Sequence, residues 1–285
     1  MKRKKIVYIA GLGHSGSTIL DMILGSNSKI IGLGEIMNFV KRKNKQIDLK
    51  SSCSCGKTGN NCDFWSQAEQ IIDDTNNNVE AYLKLIDYFY NKYGEETILV
   101  DSSKNSYNYL KILNEKFDLK IIFLSKDFRS WSFSRHLSSK TPVFIKEIHW
   151  FAENIKLLYR FKKMKLNVFK LGYEELALYP EFSLKKTCDY LKIDFEKEML
   201  IPTKTKSHII SGNIVRADKE KRKKIVYDAR WITSARIIFS SIFFTPFFKF
   251  NKKLVYSNIL EKSLNPSSLF FFHSKKRHKA EQEFN

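Results

Sequence analysis

The apolar run KIVYIA at residues 5–10 leads directly into GLGHSGST at 11–18, and a helix-patterned STILDMILGS follows. A strand that turns through glycines into an amphipathic helix leaves the chain few choices. Such a unit belongs in an α/β sheet, with its turn at a strand's carboxyl end, where ligands bind. The turn runs six residues from Gly11 to Gly16 and ends in Ser17 and Thr18, the outline of a phosphate-binding loop. Gly11, Gly13 and Gly16 let the backbone approach an anion closely, and Ser15, Ser17 and Thr18 add hydroxyl donors to the N–H groups of the helix start. A nucleotide triphosphatase carries a lysine where this chain has Ser17. That lysine neutralises the outer phosphates. Its loss argues against ATP or GTP hydrolysis and leaves a cradle for a smaller terminal anion, handled without a metal.

The rest of the chain extends the same pattern. TILVDS (97–102) and LKIIFLS (119–125) read as further buried strands and LNVFKLGY (166–173) as a fourth, with helical patterns between them. Alternation of this kind predicts a parallel sheet with right-handed crossovers. The strand ends GLGHSGST, SSKN, KDFRS and GYEE are all rich in hydroxyl or charged groups, so the site is expected there. A chain of 285 residues suits one α/β domain with extensions. The main domain is expected over 1–231, interrupted by a polar, cysteine-bearing insertion at 41–78. A basic, aromatic C-terminal extension follows at 232–272, and 273–285 (HSKKRHKAEQEFN) reads as a disordered tail.

Charge narrows the ligand class only partly. With 50 Lys and Arg against 30 Asp and Glu, the net +20 favours an anionic ligand, nucleic acid or an acidic membrane surface without choosing among them. No repeated basic-aromatic platform of the single-strand binders is present, so nucleic acid is not the expected partner. The N-terminal apolar run is too short for a secretion signal, and no stretch reaches the roughly 18 apolar residues of a membrane span. A cytoplasmic location is therefore expected. The segment IIFSSIFFTPFF (237–248) contains Pro246 and has basic flanks, so it either packs on the domain or lies on a membrane. That makes 237–253 the candidate for peripheral membrane contact. Cys53, Cys55 and Cys62 are clustered, apart from Cys188. Such a trio can hold zinc with a fourth ligand from elsewhere or form one disulfide, and its C-x-C-x6-C spacing is a weak signature for either. His149 and His208 have no partner that the sequence identifies.

GHSGSTILDMILGSN followed by GLGEI resembles the phosphosulfate loop of the PAPS-dependent sulfotransferases, especially bacterial members related to tyrosylprotein and carbohydrate enzymes. Further segments agree in order. VDSSKNSYNYL (100–110) looks like the family's second strand and loop, and FLSKDFRSWSFSRH (123–136) like its 3′-phosphate segment. GYEELALYPEFSLKKTCDYLKID (172–194) looks like its tyrosine-glutamate strand end, and HIISGNIVRADKE with DARW (208–231) like its C-terminal basic loop. CSCG and CDFW (53–65) also recur in bacterial relatives. The resemblance spans about residues 5–231.

The resemblance implies a P-loop-containing three-layer α/β fold around a central parallel sheet. It also implies PAPS as sulfate donor, PAP as product, no metal requirement, and a hydroxyl acceptor that is a glycan, a lipid or a tyrosyl group. Gly13, His14, Ser15, Gly16, Ser17 and Thr18 would cradle the phosphosulfate, and Lys104 would meet it from the next strand end. Lys126, Ser134 and Arg216 would hold the 3′-phosphate, Tyr173 the adenine, and Glu35 would be the base. Glu35, His14 and Lys104 form the expected catalytic set. Two positions depart from the family pattern: His14 replaces a Lys or Arg, and Lys126 with Phe128 replaces an arginine and a proline. Lys126 keeps a point charge but lacks the bidentate fork of arginine. Two other classes compete, a P-loop phosphotransferase or nucleotide kinase, which Ser17 disfavours, and a non-catalytic nucleic-acid binder.

Overall fold

Strand β1 (Lys5–Gly11) is buried over nearly its whole length, as a run of Ile, Val, Tyr and Ala with no polar alternation dictates. The computed structural model describes residues 3–259 apart from 42–48, 74, 76, 105, 106, 140, 219, 221 and 222. The expected tail at 273–285, and the end of the extension from 260, lie outside the described residues. Four strands join β1: β2 (Ile30–Gly32), β3 (Ile98–Asp101), β4 (Asp118–Ser125) and β5 (Val168–Gly172). Their order is β2-β3-β1-β4-β5, with every pairing parallel. The order reverses at β1, which lies between β3 and β4. The crevice beyond the carboxyl end of β1 is therefore where this topology puts a ligand.

Helices cover both faces. In chain order they are α1 (Ser17–Leu24), α2 (Ile36–Val40), α3 (Trp65–Asp73), α4 (Asn78–Tyr93), α5 (Leu110–Lys116), α6 (Phe128–His136), α7 (Val143–Lys163), α8 (Tyr173–Leu178), α9 (Pro180–Leu191), α10 (Ala235–Ile242) and α11 (Phe248–Val255). Side chains alternate across each strand. Val7, Ile9, Val100, Ile122 and Leu124 pack on one face against α1, α8 and α9. Ile6, Tyr8, Leu99, Ile121 and Phe123 pack on the other, with α2 to α7 and the segment around Phe64 and Trp65. Each such Val, Leu, Ile or Phe contributes about 1.5–3 kcal/mol on full burial, so the sheet is held from both sides.

The C-terminal helices dock onto the sheet domain. Phe244 stacks on Phe151 with ring centroids 5.5 Å apart, and Asn251 ties α11 to the start of α6 through the Phe128 N–H and the Asp127 carboxylate. The contact is tight: a Cβ on Gly172 would lie 1.6 Å from the Val255 carbonyl oxygen. Phe239 and Phe243 nonetheless remain 68% and 75% exposed. No helix among the described residues is long and apolar enough to cross a membrane.

Candidate active site

The glycine loop needs its glycines for different reasons. Gly16 has φ +95, and a Cβ there would meet the Tyr173 ring at 2.5 Å, so only glycine permits both the left-handed turn and the ring packed against it. Gly13 has open space around its Cα. Gly16 is also the N-cap of α1 and supplies no side-chain cap, which leaves the first N–H groups of the helix to a ligand. The loop faces a cavity of about 940 Å³. Gly13, His14, Gly16, Ser17, Thr18, Glu35, Lys104, Lys126, Ser134 and Tyr173 all line that cavity. Ser15, in the same loop, is buried and does not line the cavity. Arg216 is not among the lining residues: its guanidinium donates to the carbonyls of Ser52, Gly212 and Asn213. From the same basic stretch, Lys224, Asp228 and Arg230 line the cavity instead.

At one end of the cavity Lys104 Nζ donates to Glu35 Oε1 at 2.5 Å, with both side chains mostly buried. Asn38 donates to the other carboxylate oxygen. Glu35 follows Gly34, whose φ of +71 turns the chain off β2. The turn is pinned from below by Asp21 on α1, which accepts from the Gly34 N–H and the Ser102 hydroxyl, each at 3.1 Å. Asp21 thereby couples the phosphate-loop helix to both strand ends that carry Glu35 and Lys104. Burial raises its pKa to about 7 against the hydrogen bonds that lower it. The sequence signal for Asp21 was a lone carboxylate on a helix whose residues are otherwise apolar or hydroxyl-bearing.

His14 takes up a left-handed conformation, φ +69, at the tip of the loop. Burial, then the charges of Arg135, Lys104 and Lys126, push its pKa below the usual 6.5, so the imidazole is neutral at neutral pH. Arg135 Nη1 lies 3.3 Å from its Nε2. An arginine nitrogen can only donate, which leaves Nδ1 with the ring proton. Arg135, on α6, thus places a guanidinium beside the loop at His14. Trp131 on the same helix donates to the Gly13 carbonyl at 2.7 Å and locks α6 to the loop.

The other end of the cavity is built around Lys126, whose Nζ lies 5.2 Å from the centre of the Tyr173 ring and donates to Asp228 Oδ2 at 2.9 Å. Arg230 forks onto the same carboxylate at 2.7 and 3.0 Å. Burial pushes the Asp228 carboxyl up, but Arg230 and Lys126 outweigh it and hold the group well below the usual carboxylate range. Tyr173 Oη donates to the Val226 carbonyl, so this tyrosine also anchors the segment that brings Asp228 in. Arg129 forks onto Asp127, the N-cap of α6, and does not line the cavity.

The chain matches the sulfotransferase family model over residues 7–197, a span that takes in the glycine loop, Glu35, Lys104, Lys126 and Tyr173 but ends before Asp228 and Arg230. It belongs to the sulfotransferase family. Two solved structures have a similar fold. One is the sulfotransferase domain of the olefin synthase from Synechococcus PCC 7002, 18% identical, covering 86% of this chain and 96% of that one, with a TM-score of 0.52. The other is the sulfotransferase domain from the curacin biosynthetic pathway, also 18% identical, covering 86% and 99%, with a TM-score of 0.54. No curated protein matches the chain in sequence. Within this sulfotransferase, the five-stranded parallel sheet with helices on both sides is the family's α/β architecture, as its strand pattern implied.

Proposed function

We propose that this sulfotransferase moves a sulfuryl group from PAPS to a hydroxyl acceptor, with Glu35 as the base. The observation that carries the reading is the Glu35–Lys104 pair on the wall of the same cavity as a phosphate loop without its lysine. The residues present fit such a donor. Loop N–H groups, Ser17, Thr18 and Lys104 suit the phosphosulfate, while Lys126, Ser134 and Arg230 suit a second phosphate. The volume lies toward the top of the roughly 300–1,000 Å³ of small-molecule sites, room for a nucleotide and an acceptor group.

PAPS, when bound, supplies an activated sulfuryl group and PAP as leaving group. Glu35 takes the acceptor's hydroxyl proton as the acceptor oxygen bonds to sulfur. The Lys104 ammonium and the loop N–H groups offset the charge left on the departing phosphate oxygen when its bond to sulfur breaks. His14, neutral and held by Arg135, donates through Nδ1–H rather than acting as a cation. A magnesium-dependent phosphotransferase is less well supported. The aspartates behind the loop, Asp21 and Asp101, are fully buried, and burial raises them to about 7 and about 6. Asp101 is engaged by Tyr82 and the Ser103 N–H.

The acceptor is a glycan or a lipid on this reading, with no role for nucleic acid. Exposed Phe239, Ile242 and Phe243, on the same helix pair as exposed Lys249, Lys252 and Lys253, support an acceptor held at a membrane surface. Sedimentation with anionic vesicles tests that part. Transfer of labelled sulfate from PAPS across sugars, lipids and tyrosyl peptides tests the reaction. Labelled product with PAPS, and none with ATP-magnesium as donor, is expected. Phosphoryl transfer from ATP-magnesium would overturn the proposal.

A further inference from the structure

The insertion and the segment after α9 meet at a cluster that sulfuryl transfer does not use. Cys53, Cys55, Cys62 and His208 each offer one ligand atom, and the four atoms lie within 4.8 Å of one another. Cys62 Sγ stands 3.7 Å from Cys53 Sγ and 3.2 Å from His208 Nδ1. With Zn–S near 2.3 Å and Zn–N near 2.0–2.1 Å, a tetrahedral ion separates two sulfurs by about 3.8 Å and sulfur from nitrogen by about 3.5 Å. The spacing is that of a coordination shell. A disulfide would use only a pair of the thiols and leave the approach of the third and of His208 without purpose.

The surroundings are those of a ligand shell as well. His208 Nε2 lies 3.1 Å from Tyr93 Oη, so a proton on Nε2 has an acceptor and Nδ1 presents its lone pair to the sulfurs. Backbone N–H groups serve the thiols: those of Phe64 and Trp65 face Cys62, that of Lys57 faces Cys55, and that of Cys55 faces Cys53. A tight turn makes this possible. Cys53 N–H donates to the Lys57 carbonyl at 2.8 Å, Gly56 N–H donates to the Cys53 carbonyl at 3.0 Å, and Gly56 adopts φ +92.

We propose that Cys53, Cys55, Cys62 and His208 are the closed shell of a structural zinc ion that fastens the insertion to the 207–213 wall of the active site. A shell of three thiolates and one imidazole leaves no open position, which suits a structural and not a catalytic ion. Its mechanical connection is direct. Trp65 Nε1 donates to the His208 carbonyl, Ser54 and Ile209 exchange hydrogen bonds of 2.8 and 3.0 Å, and His208 N–H donates to the Gly32 carbonyl at 2.7 Å. Four residues on, Gly212 lies against Thr18, and the Asn213 N–H donates to Thr18 Oγ1 at 3.3 Å. The ion would thus brace the wall facing the phosphate loop and Glu35. The inference stands whether or not PAPS is the donor.

The test is metal analysis of the full chain purified under reducing conditions without chelator. One zinc per chain is expected, released on titration of the thiols with a mercurial. The apoprotein reloaded with cobalt should show the intense visible bands of tetrahedral coordination with thiolate charge transfer. His208→Ala should weaken metal binding at least as much as loss of an outer-shell partner does, about 10- to 100-fold. His208→Cys should retain the ion and shift the cobalt spectrum toward four thiolates, which guards against a variant that fails only because it misfolds. Overturning results are wild-type protein that neither carries zinc nor takes up zinc or cobalt, a Cys53–Cys62 disulfide in the purified chain, or His208→Ala binding metal as tightly as wild type.

Discussion

Asp228 occupies the end of the cavity proposed for a 3′-phosphate, and replacing it with asparagine should tighten PAP binding. The carboxylate bridges Lys126 at 2.9 Å and Arg230 at 2.7 and 3.0 Å, and is only 13% exposed. A phosphate drawing on the same cations meets Asp228 as the next nearest charge. Two unit charges about 6 Å apart repel by roughly 0.7–3 kcal/mol as the effective dielectric constant goes from about 80 to about 20. A middle value near 1.4 kcal/mol corresponds to about tenfold in affinity. Asparagine keeps an oxygen for Arg230 while shedding the charge, so the cations stay in place. Isothermal titration at low salt with PAP and with adenosine 5′-phosphate separates the effects. PAP should bind Asp228→Asn about tenfold more tightly, while adenosine 5′-phosphate should change by less than about twofold, and the gain should shrink as salt screens it. Weaker PAP binding, or equal tightening for both nucleotides, would refute the placement of the 3′-phosphate.

Lys126→Ala should raise the PAP dissociation constant while leaving saturated turnover nearly intact, and Lys126→Arg should restore or improve binding through its fork; titration and steady-state rates on both variants check this. Gly16→Ala should cost about 2–4 kcal/mol in urea unfolding, from a left-handed alanine and the collision with Tyr173, and abolish PAP binding, whereas Gly13→Ala, with open space at its Cα, should unfold like wild type. His14 is held below its unfolded value of 6.5, so its neutral form is favoured in the fold. The stability this contributes is present above pH 6.5 and is lost as pH falls toward the folded value. His14→Gln should therefore flatten the dependence of unfolding free energy on pH below the unfolded value of 6.5, and an unchanged slope there would show that His14 does not titrate this way.

Strands β1 and β3 are legible because their residues are buried and largely apolar, β4 because its second half IIFL is, whereas the edge strand β5, with Lys170 exposed in its middle, gives the weaker pattern. The three residues of β2 are too few to show a period, and in the sequence only the short apolar run before Gly34 and Glu35 marks them. The glycine loop stands out at a strand end, where the chain itself announces a ligand, while the roles of Glu35, Lys104, Lys126, Ser134 and Tyr173 came from the resemblance to the sulfotransferases and not from their positions alone. Arg135, Asp228 and Arg230 were not found, since their meaning is a meeting between segments about 100 residues apart in sequence. The 3′-phosphate role expected of Arg216 illustrates the same limit. In a basic stretch the sequence cannot say which cation turns inward, and here Lys224 and Arg230 reach the cavity while Arg216 ties down backbone carbonyls. His208 lacked a partner for the same reason. Its thiol neighbours lie some 146 residues away, and only the fold brings them together.

The most direct measurement is single-turnover transfer from labelled PAPS by wild type and Glu35→Gln, with PAP affinity determined on the same preparations. Glutamine is nearly isosteric and keeps an oxygen for Lys104, so the fold and the nucleotide site should survive. Loss of a general base is expected to slow transfer by about 10²- to 10⁴-fold, with PAP binding unchanged. Near-normal transfer by Glu35→Gln would remove Glu35 as the base, and absence of transfer from PAPS by wild type to every hydroxyl acceptor tested would contradict the reaction itself.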